Sequence, residues 1–127
     1  MVGIVLVSHS CELARGLAEL TSQVAGSEVR VEPAGGGPEG DLGTSGDVVR
    51  QAINRAEQGQ GVVVLADLGS SILTVRHLLE GQANGHVRLV DAPFVEGAIA
   101  AAVMSAAGQD LDEVSRAAEE ARGAHKF

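Results

Sequence analysis

The chain is poor in aromatic and basic residues. Its 127 residues include no Trp, no Tyr and two Phe, and 9 Lys and Arg face 17 Asp and Glu, a net charge of −8. Proteins that hold duplexes do so with clustered Lys and Arg, and those that hold single strands stack bases on aromatic rings. Neither means is present, so no nucleic-acid partner is expected. A single cysteine, Cys11, cannot form an internal disulfide and demands no oxidising compartment. No apolar run approaches the ~20 residues that cross a bilayer, so no membrane segment is expected. The opening MVGIVLVSHS lacks the basic n-region and small-residue cleavage site of a signal peptide. A cytoplasmic protein of one domain over 1–127 is the expectation from these gaps.

What the chain does have is short aliphatic runs alternating with longer amphipathic stretches. Residues 2–7 (VGIVLV) and 61–66 (GVVVLA) are almost wholly apolar, which suits strands buried on both faces of a parallel sheet. Residues 29–31 and 87–90 read as two further strands. Helices are expected over 11–24, with Leu13, Leu17, Leu20 and Val24 inward, and over 44–58, with Val48, Val49, Ala52, Ile53 and Ala56 inward. Three more are expected over 69–82, 93–107 and 110–122, the last opened by Asp110 with Glu113 three residues on. Residues 34–43 (AGGGPEGDLG) read as a Gly-rich loop; it lacks the lysine of a Walker motif and the GxGxxG of a dinucleotide site. The alternation predicts an α/β fold: a small, doubly wound, open parallel sheet of four strands in order 2-1-3-4, with helices on both faces.

Such sheets bind ligands beyond the carboxyl ends of the strands, where the strand order reverses. Here that point lies between strands 1 and 3, which end in Ser8-His9-Ser10 and Asp67-Leu68-Gly69-Ser70-Ser71. The topology therefore sets His9 beside Asp67. A carboxylate that accepts from one ring nitrogen fixes the tautomer and leaves the other as a nucleophile. Gly43, Thr44 and Ser45 precede the second helix; Gly69, Ser70 and Ser71 open the third. Helix N-termini offer free N–H groups to an anion, and hydroxyls add donors, so these six are the candidate phosphate ligands. Ordinary helix capping by Ser and Thr is the competing explanation. Apart from Arg15, no cation stands near these loops, so phosphate would be held weakly, as a transient carrier requires. Cys11 lies at i+2 from His9, a spacing that does not converge the two, and suits a residue filling a buried helix start. His77, His86 and His125 are scattered, and no metal site is expected. Glu96 in PFVEGA suits a helix N-terminus better than catalysis.

GIVLVSHS, the loop ending LGTS, VVVLADLGSS and APFVEGAIAAAV together resemble the mannose-type enzyme IIA domains of the sugar phosphotransferase system. Within them they resemble the branch that serves bacterial dihydroxyacetone kinases, which GTS after a Gly-rich loop favours. The resemblance runs from Val2 to about Ala121. It implies that His9 accepts a phosphoryl group from the histidine carrier protein HPr and passes it to ADP held with Mg²⁺ on a DhaL subunit. The ATP formed there would phosphorylate dihydroxyacetone on DhaK. No cofactor on this chain, a separate phosphoryl donor and a homodimer are also implied. The alternatives are an enzyme IIA component of a mannose-type sugar transporter and a non-enzymatic anion-binding module.

Overall fold

A computed structural model of the chain describes residues 1–37, 39–81 and 85–127. The elements run β1 (Gly3–Ser8), α1 (Cys11–Ala25), β2 (Val31–Gly35), α2 (Gly46–Ala56), β3 (Val62–Ala66), α3 (Gly69–Leu79), β4 (Val87–Leu89), α4 (Phe94–Ala106) and α5 (Leu111–Glu120). A single 3-10 turn, Ala121–Gly123, follows. All strand pairings are parallel and the order is β2-β1-β3-β4, as the alternation predicted.

The two most aliphatic strands take the two central places. Along β1 and β3 successive side chains point to opposite faces. Ile4, Leu6, Val63 and Leu65 pack on one face against Leu17 of α1, Ala98 and Ala101 of α4 and Val114 of α5. Val5, Val7, Val62 and Val64 pack on the other against Val49, Ala52 and Ala56 of α2 and Val75 of α3. With almost no aromatic bulk, density is reached by bringing alanine-faced helices close to the sheet. Each fully buried Val, Leu or Ile contributes about 1.5–3 kcal/mol by leaving water.

Several expectations need correction. Strand β2 lies at 31–35, not 29–31, so Ala34 and Gly35 belong to the sheet rather than to the Gly-rich loop. Pro33 is tolerated there because β2 is an edge strand and needs no second partner. Gly35 is required by space: a Cβ would lie 2.6 Å from the Ser10 carbonyl oxygen and 2.7 Å from Cys11 Cα. This close approach lets the end of β2 lie against the turn that holds His9. In α1 the buried face is Ala14, Leu17, Ala18 and Thr21, whereas Leu13, Leu20 and Val24 are 46%, 46% and 54% exposed. The tight helix–sheet spacing selects the small residues for the inner face and turns those three large ones outward. Helix α2 begins at Gly46, with Ser45 as its cap. Cys11 is half-buried rather than buried. Residue 82, the expected end of the third helix, and Pro38 of the Gly-rich stretch lie outside the described residues. Asp110 does cap α5, accepting from the Glu113 N–H at 2.9 Å, but the Glu113 carboxylate pairs with Arg116 instead of closing a capping box.

Candidate active site

Beyond its last residue β3 continues for one more step alongside β1, because the Asp67 N–H donates to the Val7 carbonyl at 3.1 Å. That bond sets Asp67 level with the Ser8–His9 turn. Its carboxylate is then surrounded by donors. Oδ2 accepts from the Ser8 hydroxyl at 2.9 Å and from the His9 backbone N–H at 3.1 Å. Oδ1 accepts from the Leu68 N–H at 2.7 Å, the Ser71 hydroxyl at 3.1 Å and the His9 ring Nδ1 at 3.0 Å. Burial by itself would raise the Asp67 carboxyl; the donors from His9, Ser8 and Leu68 outweigh it and hold the group below its ordinary range. Asp67 is therefore a carboxylate at neutral pH and can only accept.

That constraint fixes the imidazole. Facing an ionised acceptor, Nδ1 carries the proton, which leaves Nε2 with a bare lone pair. Nε2 meets the Ser70 hydroxyl, which donates to it. The His9 side chain is 25% exposed and Asp67 11%, so the pair is supported from beneath while the ring edge stays within reach of a visitor. On the Nδ1 side a chain of hydroxyls completes the support. Thr44 Oγ1 lies 2.8 Å from Ser71 Oγ, and Ser71, fully buried, lies 3.1 Å from both Nδ1 and Oδ1. Since Ser71 donates to Asp67, Thr44 is the donor to Ser71.

The six candidate phosphate ligands thus divide. Gly69 and Ser70 stand at the start of α3, and the Ser70 hydroxyl meets Nε2. Ser71 and Thr44 are turned to Nδ1 and Asp67. Ser45 caps α2, its hydroxyl accepting from the Val48 N–H at 3.4 Å. The Gly43 N–H is occupied by the His9 carbonyl at 3.0 Å, a bond that pins the loop after β2 to the Ser8–His9 turn. Helix α3 is different from α2: its cap position is Leu68, which makes no side-chain cap bond, and among the described residues no side chain bonds the N–H groups of Gly69, Ser70 and Ser71. Leu68 is 63% exposed, with Leu42 at 80% and Leu73 at 65%.

Two of these roles were not foreseen. Spacing alone singles out neither Ser8 nor Leu68. The signal for Ser8 was available: it continues the Ile4–Leu6 column, where every other residue is aliphatic. A groove of about 720 Å³ runs outward from Thr44 and Ser45 between α2 and α3, with Leu73, Thr74 and His77 on its far wall. The other histidines lie elsewhere: His77 is exposed beside Glu80, His86 bonds Glu57 at 2.9 Å, and His125 is in the exposed tail. Glu96 pairs with Lys126 at 3.2 Å. Among the described residues no group of three or more His, Cys, Asp or Glu is placed to hold a metal ion, and no helix is long and apolar enough to cross a membrane.

A doubly wound sheet with a carboxylate-clamped histidine at its switch point defines a class, and comparison with known proteins agrees. The chain belongs to the EIIA-man family, described as the PTS system fructose IIA component, whose model matches residues 3–115. Within that family its similarity runs to the DhaM subunits. It is 38% identical over 120 residues to the PEP-dependent dihydroxyacetone kinase phosphoryl donor subunit DhaM of Escherichia coli (strain K12), covering 90% of this chain and 25% of that one. To the corresponding subunit of dihydroxyacetone kinase 2 of Listeria innocua it is 36% identical over 108 residues, covering 83% and 86%. To the DhaM phosphotransferase subunit of Lactococcus lactis it is 32% identical over 117 residues, covering 92% and 93%. The chain therefore spans a quarter of the Escherichia coli relative and most of the other two. The crystal structure of the unknown-function protein EF1359 superposes with a TM-score of 0.85 at 30% identity, over 100% of this chain and 99% of that one.

Proposed function

We infer that this chain is the phosphoryl carrier subunit of a phosphoenolpyruvate-dependent dihydroxyacetone kinase, working in the cytoplasm as a homodimer. His9 takes the phosphoryl group from phospho-HPr and passes it to ADP on DhaL, which serves DhaK. The observation that supports this most is the pairing of an unprotonated Nε2, covered only by the mobile hydroxyl of Ser70, with a helix end whose cap residue makes no side-chain bond. Phosphoryl transfer passes through a loose transition state, so the protein chiefly positions groups and stabilises charge. The Nε2 lone pair attacks phosphorus in line; the new P–N bond forms as the donor's bond to phosphorus breaks, and the donor leaves with that electron pair. Ser70 must swing off Nε2 to admit the group and can then donate to one of its oxygens. The first-turn amides of α3 receive the others, aided by the positive end of the helix dipole.

The phosphorylated ring keeps its Nδ1 proton and becomes cationic, which the Asp67 carboxylate offsets. In the second half-reaction an oxygen of ADP attacks phosphorus, the P–N bond breaks, and His9 returns to its neutral tautomer. Mg²⁺ travels with the nucleotide on the partner, and this chain supplies no cofactor.

Incubation with radiolabelled phosphoenolpyruvate, enzyme I and HPr tests the first half. Wild type is expected to take up label and His9→Ala none. An unlabelled wild type, or a labelled His9→Ala, would end the proposal. The family description keeps a second reading open, an enzyme IIA of a sugar transporter. Adding DhaL with ADP, or a sugar-specific enzyme IIB, to the labelled protein decides by which of them drains it.

A further inference from the structure

We propose that Ser8 is a positioning residue: its hydroxyl holds the Asp67 carboxylate in the one orientation that keeps the His9 proton on Nδ1. The inference rests on the reading of Nε2 as the nucleophile. Ser8 is fully buried at the end of β1, on the face that Ile4 and Leu6 fill with hydrocarbon. A hydroxyl in such a place has a cost unless its polar atoms are matched. They are matched on both sides. The hydroxyl donates to Asp67 Oδ2 at 2.9 Å, and its oxygen accepts from the Ser10 N–H at 3.0 Å. Ser10 in turn caps α1, accepting from the Leu13 N–H at 3.2 Å. One side chain therefore joins the end of β1, the carboxylate from β3 and the first turn of α1.

The consequence lies in how the two carboxylate oxygens are used. With Ser8 and the His9 N–H on Oδ2, that oxygen is committed, and Oδ1 is the one presented to the ring. Remove the Ser8 proton and Oδ2 keeps a single donor, while the Ser10 N–H loses its acceptor. The carboxylate, with one of the two donors to Oδ2 gone, is then held less firmly about its Cβ–Cγ bond. An Oδ1 displaced from the ring plane weakens the bond to Nδ1, and the neutral imidazole begins to populate the tautomer protonated on Nε2. That tautomer cannot attack phosphorus. Ser71 does not replace the lost contact, because it bonds Oδ1 and leaves Oδ2 alone.

The test uses the full chain with no phosphoryl donor present. Nitrogen NMR shifts of the His9 ring report the tautomer ratio at neutral pH. Wild type is expected to show almost only the Nδ1–H form, and Ser8→Ala a mixture. Single-turnover uptake from phospho-HPr is expected to fall about tenfold in Ser8→Ala, the lower end of the loss seen when the partner that orients a metal-bound histidine is removed, with the KM for the donor unchanged. Ser8→Cys leaves no cavity, being slightly larger than serine, but donates only weakly, and an intermediate tautomer ratio is expected. It decides the question if the alanine variant does not fold. A folded Ser8→Ala or Ser8→Cys with the wild-type tautomer ratio would overturn the proposal, even if its melting temperature had dropped. Because the ratio is read without any transfer, it stands or falls separately from the labelling of His9.

Discussion

The N-termini of α2 and α3 face the same histidine from neighbouring loops, yet they are finished in opposite ways. At α2 the cap is Ser45, bonded to the Val48 N–H, with Asp47 in the first turn to meet the helix dipole. At α3 the cap is Leu68, no side chain bonds the amides, and no acid lies in the first turn. Exposing a leucine and leaving amides uncapped forgoes stability that Ser, Asn or Asp would supply, typically ~1 kcal/mol. The end that gives up this stabilisation is the one whose Ser70 touches Nε2. In the proposed role the capped start of α2 serves the fold, and the start of α3, left open, would receive the arriving anion. The presence of Ser and Thr therefore does not mark an anion site; what matters is whether their oxygens already hold the helix's own N–H groups.

The comparison can be broken most sharply at Leu68. Leu68→Asn gives α3 the cap it lacks, and is expected to stabilise the protein by about 1 kcal/mol. The same change is expected to slow phosphoryl uptake about tenfold, since the new side chain competes for the donors that would meet the oxyanion. Urea unfolding and single-turnover labelling read the two effects, and faster or unchanged uptake would return α3 to a purely structural role. The converse change, Ser45→Ala, is expected to cost about 1 kcal/mol and leave uptake within twofold of wild type. A large rate loss there would restore Ser45 to the phosphate.

The smallest effect concerns acid, and it sets the His9–Asp67 end of the sheet against the far end. Asp67 at one end and Glu57 at the other are both held below the ordinary carboxylate range. For Glu57, burial opposes this, and it is outweighed by the His86 ring and the N–H groups of Gly59 and Gly61. A lowered carboxyl contributes stability that is fully present above its unfolded value, near ~4, and is lost as pH falls through its folded value. The urea midpoint is thus expected to hold down to about pH 5 and to decline below roughly 4. Glu57→Gln and Asp67→Asn should each flatten that decline; slopes identical to wild type would show that neither group drives it.

The sheet order and the meeting of His9 with Asp67 could be read from the sequence because both follow from topology. Alternating strands and helices leave few windings, and the windings fix which strand ends become neighbours. The second strand is expected at 29–31 but lies at 31–35 because Pro33 and Gly35 look like loop residues, whereas an edge strand tolerates the first and the close approach to Ser10 requires the second. The inner face of α1 was misread for a related reason. Leucine spacing suggested the stripe, but Ala14, Ala18 and Thr21 are what a helix this close to the sheet can place inside. The division of labour among the hydroxyls was out of reach. Whether Thr44 meets phosphate or Ser71 depends on rotamers and on which N–H groups are already occupied, and residue spacing encodes neither.

The absence of indole and phenol rings has a practical consequence when joined to the loop that Gly43 ties to the His9 carbonyl. Leu42, next to that tie and 80% exposed, is a place where a tryptophan would be the molecule's only strong fluorophore. Its emission would report any partner that docks at the Ser8–His9 turn against a dark background, with no other indole and no phenol in the chain to confuse the signal.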